Sequence, residues 1–222
     1  MIGTQKPETH YPPPWQLQGE GVILLYRFPK KWINEHPLIP THLKGQFKGG
    51  FGYLMLVNYY DSPVGPYKEL LLIPGKFKPN KKQSITHIVV NSERSTQNGR
   101  FNWGIPKITL PIIWESEKGL DTIGIGDEDD PIFFCKISYK GMSFPVSTKI
   151  LPIKLYQQWN GKAFETEPKG SGWGKLAKIE TLKINHKRFP DISKFKPILA
   201  IKVSPFSIDF PKPSSTYDVV KT

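Results

Sequence analysis

The sequence predicts a mainly β protein, built on a curled antiparallel sheet with few short helices. The 22 prolines and 19 glycines are spread along the 222 residues, and long helices do not tolerate that many. Short runs rich in β-branched and aromatic residues recur between turn residues, which is typical of a sheet that curls or closes. Aromatic residues make up 13% of the chain, enough to build a core rather than a disordered chain. We therefore expect a single domain over residues 1–222.

Nine segments have the composition of strands. Residues 178–184 show the pattern most clearly, because charged and apolar side chains alternate there and would face opposite sides of a sheet. In chain order the predicted strands are 22–28, 52–60, 69–73, 85–91, 108–114, 132–139, 149–156, 176–184 and 197–204.

Helices are predicted in only two short segments. Residues 29–35 begin with a proline after an apolar strand, and residues 92–99 are polar enough for one or two turns. Residues 1–20 are predicted to form an extended N-terminal arm, because three consecutive prolines at 12–14 favour a polyproline conformation. Residues 211–222 are predicted to be a C-terminal tail.

The charge and the cysteine content indicate which partners and which cellular compartment to expect. The net charge is +12, but 27 of the 31 basic residues are lysines scattered in ones and twos, so we expect no nucleic-acid partner. Cys135 is the single cysteine and excludes an internal disulfide. No apolar run is long enough to span a bilayer. These features predict a soluble, cytoplasmic protein without a membrane span.

Common cofactor motifs are absent. The histidines lack metal-ligand spacing, and the acidic run 127–130 lacks the alternation of a calcium loop and is predicted to be a hairpin turn. The glycine-rich segment 170–175 has the wrong spacing for a phosphate loop and is predicted to be a turn before a strand. We therefore expect no metal and no cofactor.

Lys107 is the first candidate for chemistry. It follows Gly104-Ile105-Pro106 at the start of an apolar strand, where partial desolvation would lower its pKa and expose a nucleophilic amine. The alternative is a lysine that extends from the strand end into water.

Tyr67 and Glu69 are the second candidate. They follow a proline-glycine turn, and their spacing of two places them on the same face of a strand. The alternative is a hairpin with an ordinary cross-strand charge.

Together these two segments resemble the acetoacetate decarboxylase-like superfamily. The first is Gly-Pro-Tyr-x-Glu at 65–69, and the second is Asn-Ser-Glu-x-Ser-x-x-x-Gly-Arg-x-x-Trp-Gly-Ile-Pro-Lys at 91–107. The resemblance extends over residues 22–110. It implies a cone-like barrel with a central cavity, Lys107 as a Schiff-base lysine and Glu69 as the active-site acid. It also implies Tyr67, Arg100 and Trp103 as pocket residues.

The resemblance implies a lyase that acts on a small keto acid or related carbonyl compound. Two departures leave the reaction open between decarboxylation and aldol or dehydration chemistry. Ile108 stands where the decarboxylase has a second lysine, and residues 17–21 lack its arginine. A noncatalytic protein that binds an apolar or anionic small molecule on the same barrel is the alternative. A homo-oligomer is compatible with the resemblance, because family members commonly assemble.

Overall fold

The computed structural model describes residues 6–127 and 129–218. Within them are two α-helices, α1 (Lys30–Glu35) and α2 (Glu93–Trp103), and one 3-10 turn at Thr41–Leu43. In chain order the strands are β1 (Trp15–Tyr26), β2 (Phe47–Gly49), β3 (Gly52–Asp61), β4 (Tyr67–Ile73), β5 (Lys76–Phe77), β6 (Lys82–Gln83), β7 (His87–Val90), β8 (Lys107–Thr109), β9 (Ile112–Glu117), β10 (Leu120–Asp127), β11 (Asp130–Ser147), β12 (Leu155–Trp159), β13 (Lys162–Thr166), β14 (Lys169–Ile184), β15 (Leu199–Phe210) and β16 (Ser215–Asp218).

Ten strands form one curled sheet in the order β8-β7-β4-β3-β1-β15-β14-β11-β10-β9. All neighbours in it are antiparallel except β7 and β8, which run parallel. The sheet curls into a half-barrel whose edges are β8 and β9. A smaller sheet contains the strands β16-β13-β12-β6-β5-β2. The predicted mainly β class with a curled antiparallel sheet is thus confirmed.

Strand β1 lies near the centre of the large sheet. It pairs with β3 on one side and with β15 on the other, so that Val22 stands opposite both Leu56 and Lys202. Its apolar residues divide between two buried clusters, and Val22 and Ile23 lie in different ones. A central strand with both faces covered explains the nearly continuous apolar run at 22–26.

Helix α2 has sequence signals at both ends. The Ser92 hydroxyl accepts a hydrogen bond from the Ser95 amide, which caps the first turn. The helix ends at Gly104, whose φ of 63° is a left-handed conformation that glycine adopts without strain. The helix runs four residues beyond the predicted 92–99 segment. It connects β7 to the parallel strand β8, so that residues 93–109 form one crossover.

The N-terminal arm packs on helix α2 of the same chain. Asn98 accepts a hydrogen bond from the Tyr11 amide at 2.8 Å and donates one to the Thr9 carbonyl at 3.1 Å. Asn102 donates to the Tyr11 carbonyl at 2.8 Å. Residues 6–14 of the predicted arm form neither helix nor strand, whereas residues 15–20 belong to strand β1, and residues 215–218 of the predicted tail form strand β16. Residues 1–5 of the predicted arm and residues 219–222 of the predicted tail lie outside the described residues.

Three local predictions are corrected by the structure. Residues 149–154, which contain Pro152, form turns and irregular backbone, so β12 begins only at Leu155. The predicted turn at 170–175 lies inside β14, where glycine is needed because a Cβ at Gly172 would come within 2.5 Å of the Pro205 carbonyl oxygen on β15. Strand β10 was not predicted, because Gly124 and Gly126 interrupt its apolar pattern.

Neither α1 nor α2, the helices found in residues 6–127 and 129–218, has the length and hydropathy that crossing a bilayer requires.

Candidate active site

An apolar cavity of about 170 Å³ lies against one face of the large sheet. Strands β1, β3, β4, β7 and β15 supply most of its wall, and the segment after α2 closes one end. Among its described lining residues, Lys107 and Glu69 are the only ones with a charged side chain. Its apolar lining includes Trp15, Leu17, Ile23, Val57, Ile88 and Ile105.

Lys107 and Glu69 meet at the buried end of this cavity. The Lys107 Nζ donates to Glu69 Oε2 at 2.8 Å and to Ser95 Oγ at 2.9 Å. Their side chains are only 5% and 6% exposed. Glu69 is on β4, and Lys107 begins β8, two strands away across β7. The crossover through α2 therefore brings an amine and a carboxylate together that are 38 residues apart in the chain.

Two tyrosines border this ion pair. The Lys107 Nζ lies 4.9 Å from the centre of the Tyr67 ring, a cation–π distance, and the Tyr59 and Tyr67 rings are 4.7 Å apart. Tyr67 and Glu69 share one face of β4, as their spacing predicts. Burial, reinforced by the Glu69 charge and opposed by Lys107, raises the pKa of Tyr67 to about 12. Burial and Glu69 raise the pKa of Tyr59 well above its usual value. Both phenols are protonated at neutral pH.

The electrostatics of Lys107 differ from the sequence prediction. Burial alone lowers the pKa of this amine, as predicted, but attraction by the Glu69 carboxylate and the contribution of Tyr67 outweigh burial. The pKa of Lys107 is therefore raised above its usual value. The prediction considered the apolar neighbours of Lys107 and omitted the carboxylate 2.8 Å away. At rest the pair is an ammonium ion and a carboxylate.

The two other predicted pocket residues have different positions. Trp103 lines the cavity, donates to the Pro211 carbonyl at 2.7 Å and packs edge-on against Trp15. Arg100 is not among the lining residues. Its guanidinium group lies 5.2 Å from the centre of the Trp159 ring. Arg100 and Trp103 are three positions apart, but their side chains leave the last turn of α2 toward different neighbours.

Solved structures with a similar backbone share this architecture. An acetoacetate decarboxylase from Legionella pneumophila aligns over 100% of this chain and 92% of its own, with a TM-score of 0.70 and 14% identity. The enduracididine biosynthesis enzyme MppR aligns over 94% of this chain and 89% of its own, with a TM-score of 0.64 and 13% identity. The chain has the acetoacetate decarboxylase-like fold.

The curated relatives are only partly covered by this chain. Two proteins called NEOXANTHIN-DEFICIENT 1 match, one from Oryza sativa subsp. japonica at 29% identity over 100 residues and one from Arabidopsis thaliana at 25% over 162 residues. The matches span 42% and 64% of this chain, and 32% and 56% of those proteins. No family model matches the chain.

Within the acetoacetate decarboxylase-like fold, several residues at or near the cavity were not predicted. Ser95 is fully buried and binds the Lys107 amine, and Tyr59 contacts Glu69 from strand β3. The signal for Ser95 was its place inside the 91–107 motif. Trp15 and Leu17 also line the cavity, at the point where the arm becomes β1. Nothing in the local sequence indicates that the first strand forms part of the wall.

A second buried lysine provides a contrast to Lys107. The Lys202 Nζ lies 2.6 Å from Asp121 Oδ2 and 2.9 Å from Glu20 Oε2, between the rings of Trp114 and Tyr139. Lys202 does not line the cavity, whereas its neighbour Val203 does, so Lys202 faces the other side of β15. Because two carboxylates contact it and it does not line the cavity, this lysine is a structural ion-pair centre.

In the part of the chain that the structure describes, no three His, Cys, Asp or Glu side chains cluster closely enough to hold a metal ion.

Proposed function

We propose that this protein is an imine-forming lyase in which Lys107 attacks the carbonyl group of a small molecule and Glu69 transfers protons. The observation that carries the proposal is the buried Lys107–Glu69 pair, 2.8 Å apart, in the lining of an apolar cavity. The Gly-Pro-Tyr-x-Glu and Gly-Ile-Pro-Lys motifs and the shared fold support the same chemistry.

The resting ion pair must first release a neutral amine. A single proton transfer from Lys107 Nζ to Glu69 Oε2, along the existing hydrogen bond, converts the two ions into an amine and a carboxylic acid. Water that enters the cavity stabilises the ions, and a bound ligand that displaces this water favours the neutral pair, because burial disfavours both charges. Substrate binding thus produces the nucleophile.

Imine formation then follows and involves two proton transfers. The amine adds to the carbonyl carbon, and one amine proton moves to the carbonyl oxygen to give a carbinolamine. The Glu69 carboxylic acid protonates the departing hydroxyl group. The products are a protonated imine on Lys107, a Glu69 carboxylate and one water molecule. Ser95, which accepts from the same amine at 2.9 Å, keeps Nζ aimed at the cavity during these steps.

The protonated imine draws electrons from a neighbouring bond. In a decarboxylation the breaking bond is the one to the carboxylate carbon, and CO₂ leaves. In an aldol or dehydration reaction Glu69 takes a proton from the carbon next to the imine. Both routes give an enamine. After decarboxylation it is protonated on carbon, whereas in an aldol reaction its carbon attacks the carbonyl group of a second molecule, whose oxygen takes up a proton and leaves as water in a dehydration. Hydrolysis of the resulting protonated imine releases the product and regenerates Lys107.

Borohydride trapping tests the proposal. The protein is incubated with a panel of aldehydes, ketones and keto acids, reduced with sodium borohydride and analysed by intact-mass and peptide mass spectrometry. We expect a reduced adduct on Lys107 and none on the equally buried Lys202. The Lys107→Met variant should form no such adduct and should have the wild-type circular dichroism spectrum. A folded protein that gives no Lys107 adduct across the panel contradicts the proposal.

A noncatalytic binding protein is the second candidate function. It is favoured by one observation, the raised pKa of Lys107, which keeps the amine protonated at rest and makes it a fixed cation. Under this alternative no trapping would occur, and Lys107→Met would lose a copurifying anionic ligand but retain an apolar one.

A further inference from the structure

We infer that the carbonyl substrate is neutral and mostly hydrocarbon, an aliphatic or cyclic ketone or aldehyde rather than an anionic keto acid. This inference rests on the proposed function of Lys107 and specifies the substrate class of that site. It is carried by the charges and the polarity of the cavity lining.

The cavity offers no free cation to a substrate carboxylate. Lys107 is the only basic residue among the described lining residues, and it is already paired with Glu69. During the reaction Lys107 becomes the imine nitrogen, whose single positive charge Glu69 balances. A substrate carboxylate would then be a buried anion without a partner, which costs far more than burying hydrocarbon. Arg100, the cation that the sequence places nearby, lies beside Trp159 outside the cavity.

The lining of the cavity favours a hydrocarbon substrate over a charged one. Apart from Lys107 and Glu69, the buried lining consists of aliphatic and aromatic side chains, with the phenols of Tyr59 and Tyr67 beside the ion pair. An apolar protein cavity of about 150 Å³ is known to hold benzene, so the 170 Å³ here suits a chain or ring of roughly six to eight carbons. A molecule as small as pyruvate or acetone would leave most of the cavity unfilled.

The mouth of the cavity is uncharged as well. Hydroxyl residues line the part of the cavity opposite Lys107 in the strand order, and Ser171 and Ser207 among them are exposed. These hydroxyls can hydrogen-bond a neutral polar end of the ligand. They supply no positive charge, so among the described lining residues only Lys107 is a cation, and it is paired with Glu69.

A homologous series tests this inference. Methyl ketones from acetone to 2-octanone are trapped on Lys107 with borohydride, and the concentration that gives half-maximal adduct is measured for each. We expect it to fall about fourfold for each added methylene until the cavity is filled. The keto acid of matched length is 2-oxooctanoate. Its concentration for half-maximal adduct should be at least tenfold higher than that of 2-octanone. No dependence on chain length, or equal trapping of the keto acid, overturns the inference while leaving the imine proposal intact.

A cation introduced into the wall provides the matched variant. Met55 lines the cavity and is partly exposed, so Met55→Arg places a guanidinium group inside it. This variant should trap 2-oxooctanoate in preference to 2-octanone. Ser207→Arg, at the exposed mouth, is the second variant if Met55→Arg does not fold. Ile113→Arg adds the same charge at an exposed position outside the lining and should keep the wild-type preference.

The two proposals fail in distinguishable ways. Binding is measured separately from covalent trapping, by displacement of the fluorescent apolar probe N-phenyl-1-naphthylamine with 2-octanol, which cannot form an imine. Probe displacement without any Lys107 adduct from ketones or keto acids overturns both the imine and the substrate assignment. A Lys107 adduct that forms with keto acids but not with ketones overturns only the substrate class.

Discussion

Gly99 on helix α2 packs directly against the side chain of Lys107. A Cβ atom at position 99 would come within 2.8 Å of the Lys107 Cδ and 2.9 Å of its Cε. The absence of a side chain at Gly99 therefore lets the lysine stem pass along the helix to Glu69. This glycine belongs to the same 91–107 motif as the lysine, which gives the motif a steric reason for its spacing.

Gly99→Ala should separate stability from reactivity. The added methyl displaces Nζ, and a misplacement of about 1 Å can cost on the order of 100-fold in rate, so we expect borohydride trapping to fall by that order. Helix α2 itself gains from alanine, so thermal unfolding should change little. Gly124→Ala, whose Cβ would meet nothing within 4 Å, is the control and should trap normally. Unchanged trapping in Gly99→Ala would contradict the steric role.

Glu69→Gln should lower the pKa of Lys107. Glu69 is the largest influence that raises this pKa, and without its charge the effect of burial, which lowers the pKa, remains. Competitive labelling with acetic anhydride as a function of pH measures the midpoint for Lys107. We expect the midpoint for Lys107 to be lower in the variant than in the wild type. Glu117→Gln, at an exposed pair with Lys118, should leave the midpoint unchanged. Equal midpoints in Glu69→Gln and wild type would refute the assigned electrostatics.

Asp121→Asn should destabilise the fold without affecting the cavity. Asp121 is fully buried against Lys202, and removing one partner of a buried pair leaves a charge uncompensated. Because Glu20 still contacts Lys202, we expect a loss of about 2–3 kcal/mol in the free energy of unfolding. Urea denaturation measures it. Trapping on Lys107 in the folded variant should equal that of the wild type, and its loss would show that the two lysines are coupled.

His87 should contribute to destabilisation in acid. Burial, helped by the neighbouring charge of His36, lowers the pKa of His87 from 6.5 to about 4. A pKa lowered by folding gives stability that is present above pH 6.5 and is lost as the pH falls toward 4. The loss from this residue is on the order of 2 kcal/mol. His87→Gln should flatten the fall in unfolding free energy between pH 6.5 and 4, whereas His186→Gln, at an exposed position, should not.

The sequence was sufficient to predict the fold class and the position of Tyr67 and Glu69 on the same face of one strand. Both predictions rest on local signals, namely period-two alternation and turn residues. It did not predict that the pKa of Lys107 is raised, since this direction depends on a carboxylate from a strand two places away in the sheet. Arg100 illustrates the same limit. Its position in the motif is visible in the sequence, but its contact with Trp159 depends on the smaller sheet.

The errors in predicting strands also arise from contacts between residues that are distant in the sequence. Gly170 and Gly172 suggest a turn by composition, yet they lie inside a strand because β15 approaches too closely for a side chain. That approach is a long-range property of the sheet. The wall residues Trp15 and Leu17 were missed for the same reason, since the arm looks isolated in the sequence and its partners come from the other end of the chain.

The pairing of Trp15 with Phe210 has a consequence for biosynthesis. The strand made first cannot acquire its second neighbour until nearly all of the described chain has left the ribosome, and contacts this distant in sequence form slowly. A nascent chain that already contains Lys107 and Glu69 still lacks Phe206, Ile208 and Phe210, which line the cavity. A fragment of residues 22–110 would contain both motifs and no enclosed site. The cavity beside Lys107 is therefore completed only after synthesis of strand β15.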